Sequence, residues 1–398
     1  MRRLAVGCAL ALALGGTAPA QDQQMGARTK AMGGSYTAFE DDPVSIWLNP
    51  AGIATQPDQM SVVYQTTTAY PVARERGPGD TVDYSVDPKM VLGDPAIIPS
   101  YLGFVFQLGA AESPMAVGLC FAQPYHLDYA MDLVTDPDQT VFVPRNEMKQ
   151  SLSRFRAAFA YDLRLAPPGG EGFLTHLALG LGGDVGYERW EFQAQDGRDA
   201  DDSGASLGYG AGLLLGVYDN TKDLKINLGV AYQSAVRFHF STEPDLLPAF
   251  DMPQQVNAGL TFYLLDTMPL RVTLDFQWVA WSGTAESPLF PNQPEFEDAF
   301  NYSAGAEYRL RLPGVDGVDF YPRLGFRRFA APWADKDDLP AIGAYKLVLD
   351  TKGEVFGIVT FGLGVSWTSA DGKVRSVDVA GDVGGDSPNV AVGLTYEF

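Results

Sequence analysis

Hydrophobic and polar positions alternate one by one along much of this chain. In the stretch 269–281, Leu270, Val272, Leu274, Phe276, Trp278 and Ala280 take one side, and Arg271, Thr273, Asp275 and Gln277 take the other. The stretch 223–233 sets Leu224, Ile226, Leu228, Val230 and Tyr232 against Lys225, Asn227, Gly229, Ala231 and Gln233. The last residues set Val390, Val392, Leu394, Tyr396 and Phe398 against Asn389, Ala391, Gly393, Thr395 and Glu397. Successive side chains of a strand point to opposite faces, so a period of two means strands with one greasy and one wet side. Applied throughout, the test predicts about fourteen strands, within the range of bacterial membrane barrels. They fall at 60–67, 101–109, 114–124, 150–164, 173–190, 204–218, 223–239, 254–265, 269–281, 300–311, 318–330, 355–368, 373–380 and 388–398.

The links between these strands alternate in kind. Those around 110–113, 165–172, 219–222, 266–268, 312–317 and 369–372 are short and turn-like, with Asp219-Asn220, Pro313-Gly314 and Asp371-Gly372 among them. Those around 68–100, 125–149, 191–203, 240–253, 282–299 and 331–354 are long. Short turns on one rim and long loops on the other are the habit of outer-membrane barrels, whose turns are periplasmic and whose loops are extracellular. An even strand number brings both termini to the periplasmic rim. Aromatic residues near strand ends (Tyr187, Trp190, Trp278, Trp281 and Phe329 on the loop side; Tyr161, Trp367, Tyr396 and Phe398 on the turn side) suit interfacial girdles. Many of the strands reach the nine or more residues that a tilted span needs. Soluble strands are usually about five to six residues, which weighs against a secreted sandwich or propeller. The expected fold class is therefore all-β: an antiparallel transmembrane barrel of about fourteen strands.

The first residues change where this barrel is placed. Arg2 and Arg3, the apolar stretch Leu4 to Leu14, and Ala18-Pro19-Ala20 read as a secretory signal over 1–20. No later apolar run is long enough for a membrane helix, so a place in a membrane calls for closed β-structure. Only Cys120 follows the signal, which leaves no intramolecular disulfide. With 28 basic and 49 acidic residues the net charge is −21. Such an acidic chain is not a nucleic-acid binder, since phosphate contact needs clustered Lys and Arg. The acidity fits a solvated surface, or loops that meet divalent cations at lipopolysaccharide.

One segment does not alternate. Between 21 and 59 the chain carries Gly26, Gly33, Gly34 and the turn-forming Asn49, Pro50, Ala51 and Gly52, a compact non-strand element. The run GARTKAMGGSYTAFEDDPVSIWLNPAGIA (26–54) resembles the N-terminal hatch of the FadL superfamily of outer-membrane transporters. Its wording is closest to the PorV-type branch, with Leu48 inserted between Trp47 and Asn49. Gly393, Tyr396 and Phe398 resemble the terminal signal read by barrel-assembly machinery, although Ala391 stands where a polar residue is usual. The resemblance implies a plug (hatch) over 21–59 inside a barrel over 60–398. It implies hatch shape and movement for Asn49, Pro50, Ala51 and Gly52, and tight packing for Gly33 and Gly34; plain turn chemistry is the alternative.

The implied function is plug-gated diffusion of hydrophobic small molecules such as long-chain fatty acids across the outer membrane. The alternative is a PorV-like partner whose loops hold a secreted protein during type IX secretion; an ion porin comes third. An apolar loop pocket would include Leu92, Ile97, Ile98, Met131, Leu133 and Phe142. Charges on the wet faces (Arg154, Arg156, Asp184, Arg271, Asp275, Glu307, Arg309, Asp319 and Arg323) are expected to pair with one another or with the plug, because an unpaired buried charge is costly. Expected partners are outer-membrane lipids and lipopolysaccharide, the assembly machinery, and a hydrophobic ligand or a secreted protein. No cofactor or metal is expected: the acidic loops at 196–202 and 335–338 lack calcium-loop spacing. Gly204-Ala205-Ser206-Leu207-Gly208 matches G-x-S-x-G but opens a strand rather than an elbow, so no catalytic set is expected.

Overall fold

The computed structural model describes residues 25–39, 41–68, 82–87, 90–92, 99–109, 114–135, 146–166, 171–193, 199–220, 222–238, 252–264, 269–283, 297–315, 317–330, 355–383 and 389–398. Its strands are β1 (Gln59–Thr68), β2 (Val82–Asp87), β3 (Met90–Leu92), β4 (Tyr101–Gln107), β5 (Met115–Thr135), β6 (Asn146–Arg164), β7 (Gly172–Gln193), β8 (Asp199–Asp219) and β9 (Leu224–Gln233). They continue as β10 (Gln255–Leu264), β11 (Leu270–Val279), β12 (Ala299–Tyr308), β13 (Leu310–Arg311), β14 (Val318–Ala330), β15 (Val355–Thr368), β16 (Val374–Val383) and β17 (Val390–Glu397). Every neighbouring pair is antiparallel, and β17 pairs back with β1, Gln59 opposite Glu397, so the sheet closes into a ring. The ring is a 14-stranded barrel, with β13 prolonging β12 along β14 and with β2 and β3 as additions beside β5 and β1.

The alternation sets the two faces. Leu181, Leu207, Leu324 and Phe361 are exposed on the outside, while Arg154, Arg156, Thr261, Thr273 and Thr360 are buried on the inside. An apolar outer face on a sheet with no free edge is the form of β-structure that a bilayer admits.

Two loops expected from the sequence are mostly strand. The hairpins of β5 to β8 run 21, 19, 22 and 21 residues, about twice the nine to eleven of a tilted span, so residues 125–135, 146–149, 191–193 and 199–203 extend the wall. Pro124 hides this in the sequence. It lacks an N–H, and pairing with β6 shifts register between Ala122 and Tyr125 before resuming as far as Met131 opposite Asn146. In the other direction, the strand expected over 223–239 ends at Gln233. The chain beyond it turns inward: among the described residues Val236 forms an isolated bridge with Met252, and Val236, Phe238 and Met252 pack on inward-facing Leu152.

Candidate functional site

The N-terminal segment lies within the ring. It forms α1 (Ala27–Ala31), α2 (Ser45–Leu48) and a 3-10 turn (Pro50–Ile53). Of its described residues from 25 to 54, only Asp41 is exposed. Its first helix packs on β14 to β17 and its second half on β5 to β8, so it touches the wall on separate arcs.

Local chemistry shapes the segment. Asn49 Oδ1 accepts from Ala51 N at 3.1 Å, and Pro50 supplies the preset first position of the 3-10 turn. The Asn49 amide also donates to Thr37 O (2.7 Å) and to Leu213 O of β8 (3.2 Å), so one side chain caps a turn and ties it to the wall. Gly33 has φ +71, and a Cβ there would lie 2.6 Å from the Phe326 carbonyl, so both conformation and space demand glycine. From the wall side, a Cβ on Gly229 would collide with the Thr37 carbonyl.

Charges fasten the segment on the turn side. Arg28 reaches Glu307 (2.8 Å) and Asp41 (3.2 Å); Arg271 reaches Asp41 (2.8 Å) and Glu307 (3.1 Å). Arg323 joins Glu307 (2.6 Å) to Asp378 (2.5 Å); farther toward the loop side, Lys30 meets Asp382 at 3.4 Å. Removing one partner from such a buried pair costs about 3–5 kcal/mol. Phe39, stacked on Tyr36 at 4.1 Å, lies beneath both Arg28 (5.5 Å) and Arg271 (5.2 Å). Burial pushes the Asp42 carboxyl up to about 6, against the pull of Arg28 and of the Val44 amide that donates to it. A polar cavity of 170 Å³ lies here, bounded by Arg28, Asp42, Arg323 and Asp378.

The other fastenings are of two kinds. Trp47 sits between Arg154 (4.8 Å) and Arg156 (4.9 Å), both of which bind Asp184. The Trp47 carbonyl accepts from Arg156 at 2.7 Å and from Gln233 at 2.8 Å. Asp275 of β11 instead accepts four neutral donors of the segment: Ser35 Oγ (3.0 Å), Tyr36 N (2.9 Å), Thr37 N (2.8 Å) and Thr37 Oγ1 (2.6 Å). It also borders a second cavity, of 80 Å³, at the loop-side ends of β10 to β12.

The charges expected on wet faces thus divide. Arg154, Arg156, Asp184, Arg271, Asp275, Glu307 and Arg323 bear on the segment or on one another. Arg309 and Asp319 pair at 2.6 Å at the turn-side rim, apart from it. Asp378, Asp382 and Trp47 join these contacts; inward parity on β16 marks the two aspartates, and no pattern in the sequence marks Trp47. Of the expected pocket, Leu92 stands opposite Thr66, Met131 opposite Val86 and Leu133 opposite Tyr84; Ile97, Ile98 and Phe142 lie outside the described residues, as do 1–20, Glu40, 196–198 and 335–338. Gly393 faces inward beside Ala27, and Phe398 meets Phe106 edge-on at 5.8 Å. Tyr396 lies under Arg375 at 4.8 Å. Ser206 of the G-x-S-x-G stretch is opposite Gly186, whereas the histidine on the neighbouring strand, His176, is opposite Gly216 near the other end of the hairpin.

Solved structures of similar fold include toluene transporters. A FadL homologue of Pseudomonas aeruginosa aligns over 94% of this chain and 98% of its own, with TM-score 0.60 and 10% identity. The chain has the FadL fold. The Ralstonia pickettii toluene transporter TbuX (TM-score 0.55, 16% identity, 95% and 99% covered) and the Pseudomonas putida toluene transporter TodX (0.56, 13%, 95% and 99%) share the FadL fold as well. No family model matches the chain, and no curated protein does. At these identities the likeness is one of fold. The reading in which loops hold a secreted protein gains nothing from it.

Proposed function

We propose that this chain admits hydrophobic small molecules across an outer membrane, with the N-terminal segment as a plug that must shift for passage. The observation that carries the reading is that segment itself: it is bonded to separate arcs of a closed wall, with a cavity toward each rim. The apolar outer surface supports the location, and the FadL fold supports the class of cargo. The bulge at Gln123-Pro124, where β5 leaves its register with β6, is the place we assign to a sideways exit.

A reversible lock tests the gating. The Ala27 Cβ and a Cβ built on Gly393 lie 3.3 Å apart, close to the ~3.5–4.5 Å of a disulfide. In vesicles bearing Ala27→Cys/Gly393→Cys, oxidation should reduce toluene uptake to that of protein-free vesicles, and reductant should restore it. Uptake that ignores the lock would end the plug reading. Wild-type protein that raises uptake of no hydrophobic solute would end the transport reading.

A further inference from the structure

The turn-side end of the outer wall carries an arginine that makes no hydrogen bond to any described residue. Arg375, the second residue of β16, stands in register with Trp367 of β15 and Tyr396 of β17. It shares the outward face with Val379, Leu363 and Leu394, which are half-exposed. Its guanidinium lies over the Tyr396 ring at 4.8 Å, its Nε is buried with no hydrogen-bond partner, and 33% of the side chain is exposed. A donor group so placed is unfavourable until an acceptor reaches the guanidinium.

Neighbouring charges do not supply that acceptor. Glu397 Oε2 accepts from Val374 N at 2.8 Å, and Lys373 Nζ donates to Phe398 O at 3.1 Å. Asp371, exposed in the turn before β16, accepts at Oδ1 from Ser369 Oγ and from Lys373 N (3.3 Å). Its Oδ2 stands 4.0 Å from Arg375 Nη2, beyond hydrogen-bond reach. A donor and an acceptor, each uncommitted, are thus set side by side, which suits a guest that carries both charges.

Position says which guest. Trp367 and Tyr396 are aromatic residues of the kind that mark a lipid–water boundary, and the turn side of such a barrel faces the periplasm. From the bilayer outward the wall presents apolar Val379, then Arg375, then Asp371 in the turn. An ethanolamine phospholipid presents its groups in the matching order: acyl chains, phosphate, terminal ammonium. Phosphate oxygens fit the planar fork of an arginine, and an ammonium N–H fits Asp371 Oδ2. A bare phosphate ion would instead set its charge against Asp371.

We propose that Arg375 and Asp371 form a headgroup site for a phosphatidylethanolamine of the inner leaflet, with its phosphate on Arg375 and its ammonium on Asp371. The site does not depend on the transport reading.

Native mass spectrometry of the intact protein in mild detergent tests it, with equal amounts of phosphatidylethanolamine, phosphatidylglycerol and phosphatidylcholine of identical acyl chains. Wild type should retain the ethanolamine lipid in preference to the other two, since the glycerol headgroup lacks an ammonium and choline lacks its N–H. Arg375→Gln should weaken retention of the ethanolamine lipid about tenfold, the scale of a charge-assisted hydrogen bond. Arg375→Lys, which keeps the charge without the fork, should fall between. Asp371→Asn keeps an oxygen for Ser369 and Lys373 and should erase the preference for ethanolamine over glycerol lipid. It carries the test should the glutamine variant not fold, as judged by heat-dependent migration on gels. Equal retention of the three lipids by wild type, or ethanolamine-lipid retention indifferent to substitution at both positions, overturns the site.

Discussion

Asp42 shows how a single buried residue can tie the stability of the fold to acidity. Its carboxyl is buried and titrates at about 6, so the folded protein binds this proton more tightly than the unfolded chain does. Its contribution to stability is complete below about pH 4 and is lost as the pH rises through about 6. Asp42→Asn keeps the oxygen that accepts from Val44 N and removes the charge. The variant should be more stable than wild type at pH 7.5 by up to about 3 kcal/mol, with the gain vanishing toward pH 4. Urea unfolding in detergent followed by tryptophan fluorescence reads this directly, and a gain that does not change with pH would refute it. Neighbouring Asp41, salt-bridged to Arg28 and Arg271 and exposed, illustrates why adjacent acids in one sequence take different parts.

Elements were legible in the sequence to the extent that alternation exposed them. The strands from β10 to β17 lie within a few residues of where period two puts them, because one face meets an apolar surround and the other a polar interior. The pattern also continues past Pro124, with Leu127, Tyr129, Met131 and Leu133 two apart, but a proline in a strand reads as its end when the bulge that accommodates it is not visible. The inward turn after Gln233 left no trace, since Val236 and Phe238 alternate as well in the lumen as they would in a wall. What could not be read was which plug charge meets which wall charge, because Arg28 and Glu307 are 279 residues apart and only ring closure brings them together. Wall and plug also share a demand for close approach. Gly229→Val should leave the barrel able to close, seen as heat-dependent migration on gels, while its side chain pushes the Thr37 carbonyl away and raises ion leak in planar bilayers. A variant with wild-type conductance would show that the plug does not depend on that contact.

At the scale of the molecule, wall and plug differ in what they need from each other. The ring closes through β1 and β17 alone, and Arg323, Glu307 and Asp378 pair among themselves on the wall. A chain lacking residues 25–57 should therefore still fold as a barrel, with a much larger single-channel conductance; failure to insert would mean that the plug is part of the folding core. The plug's freedom is limited at one end. Residue 57 passes into β1 with only Asp58 between, Asp58 holds the amides of Gln107 and Phe398, and Gln56 is bonded back to Asp42 and Gly52. With so little slack, and at most about 3.6 Å of reach per residue, a plug of the proposed kind would move as a flap on a short strap rather than as a cork. Under the proposed route its leading end would swing while Gln56 and Asp58 hold the other, and the valve would return to where the next passage needs it.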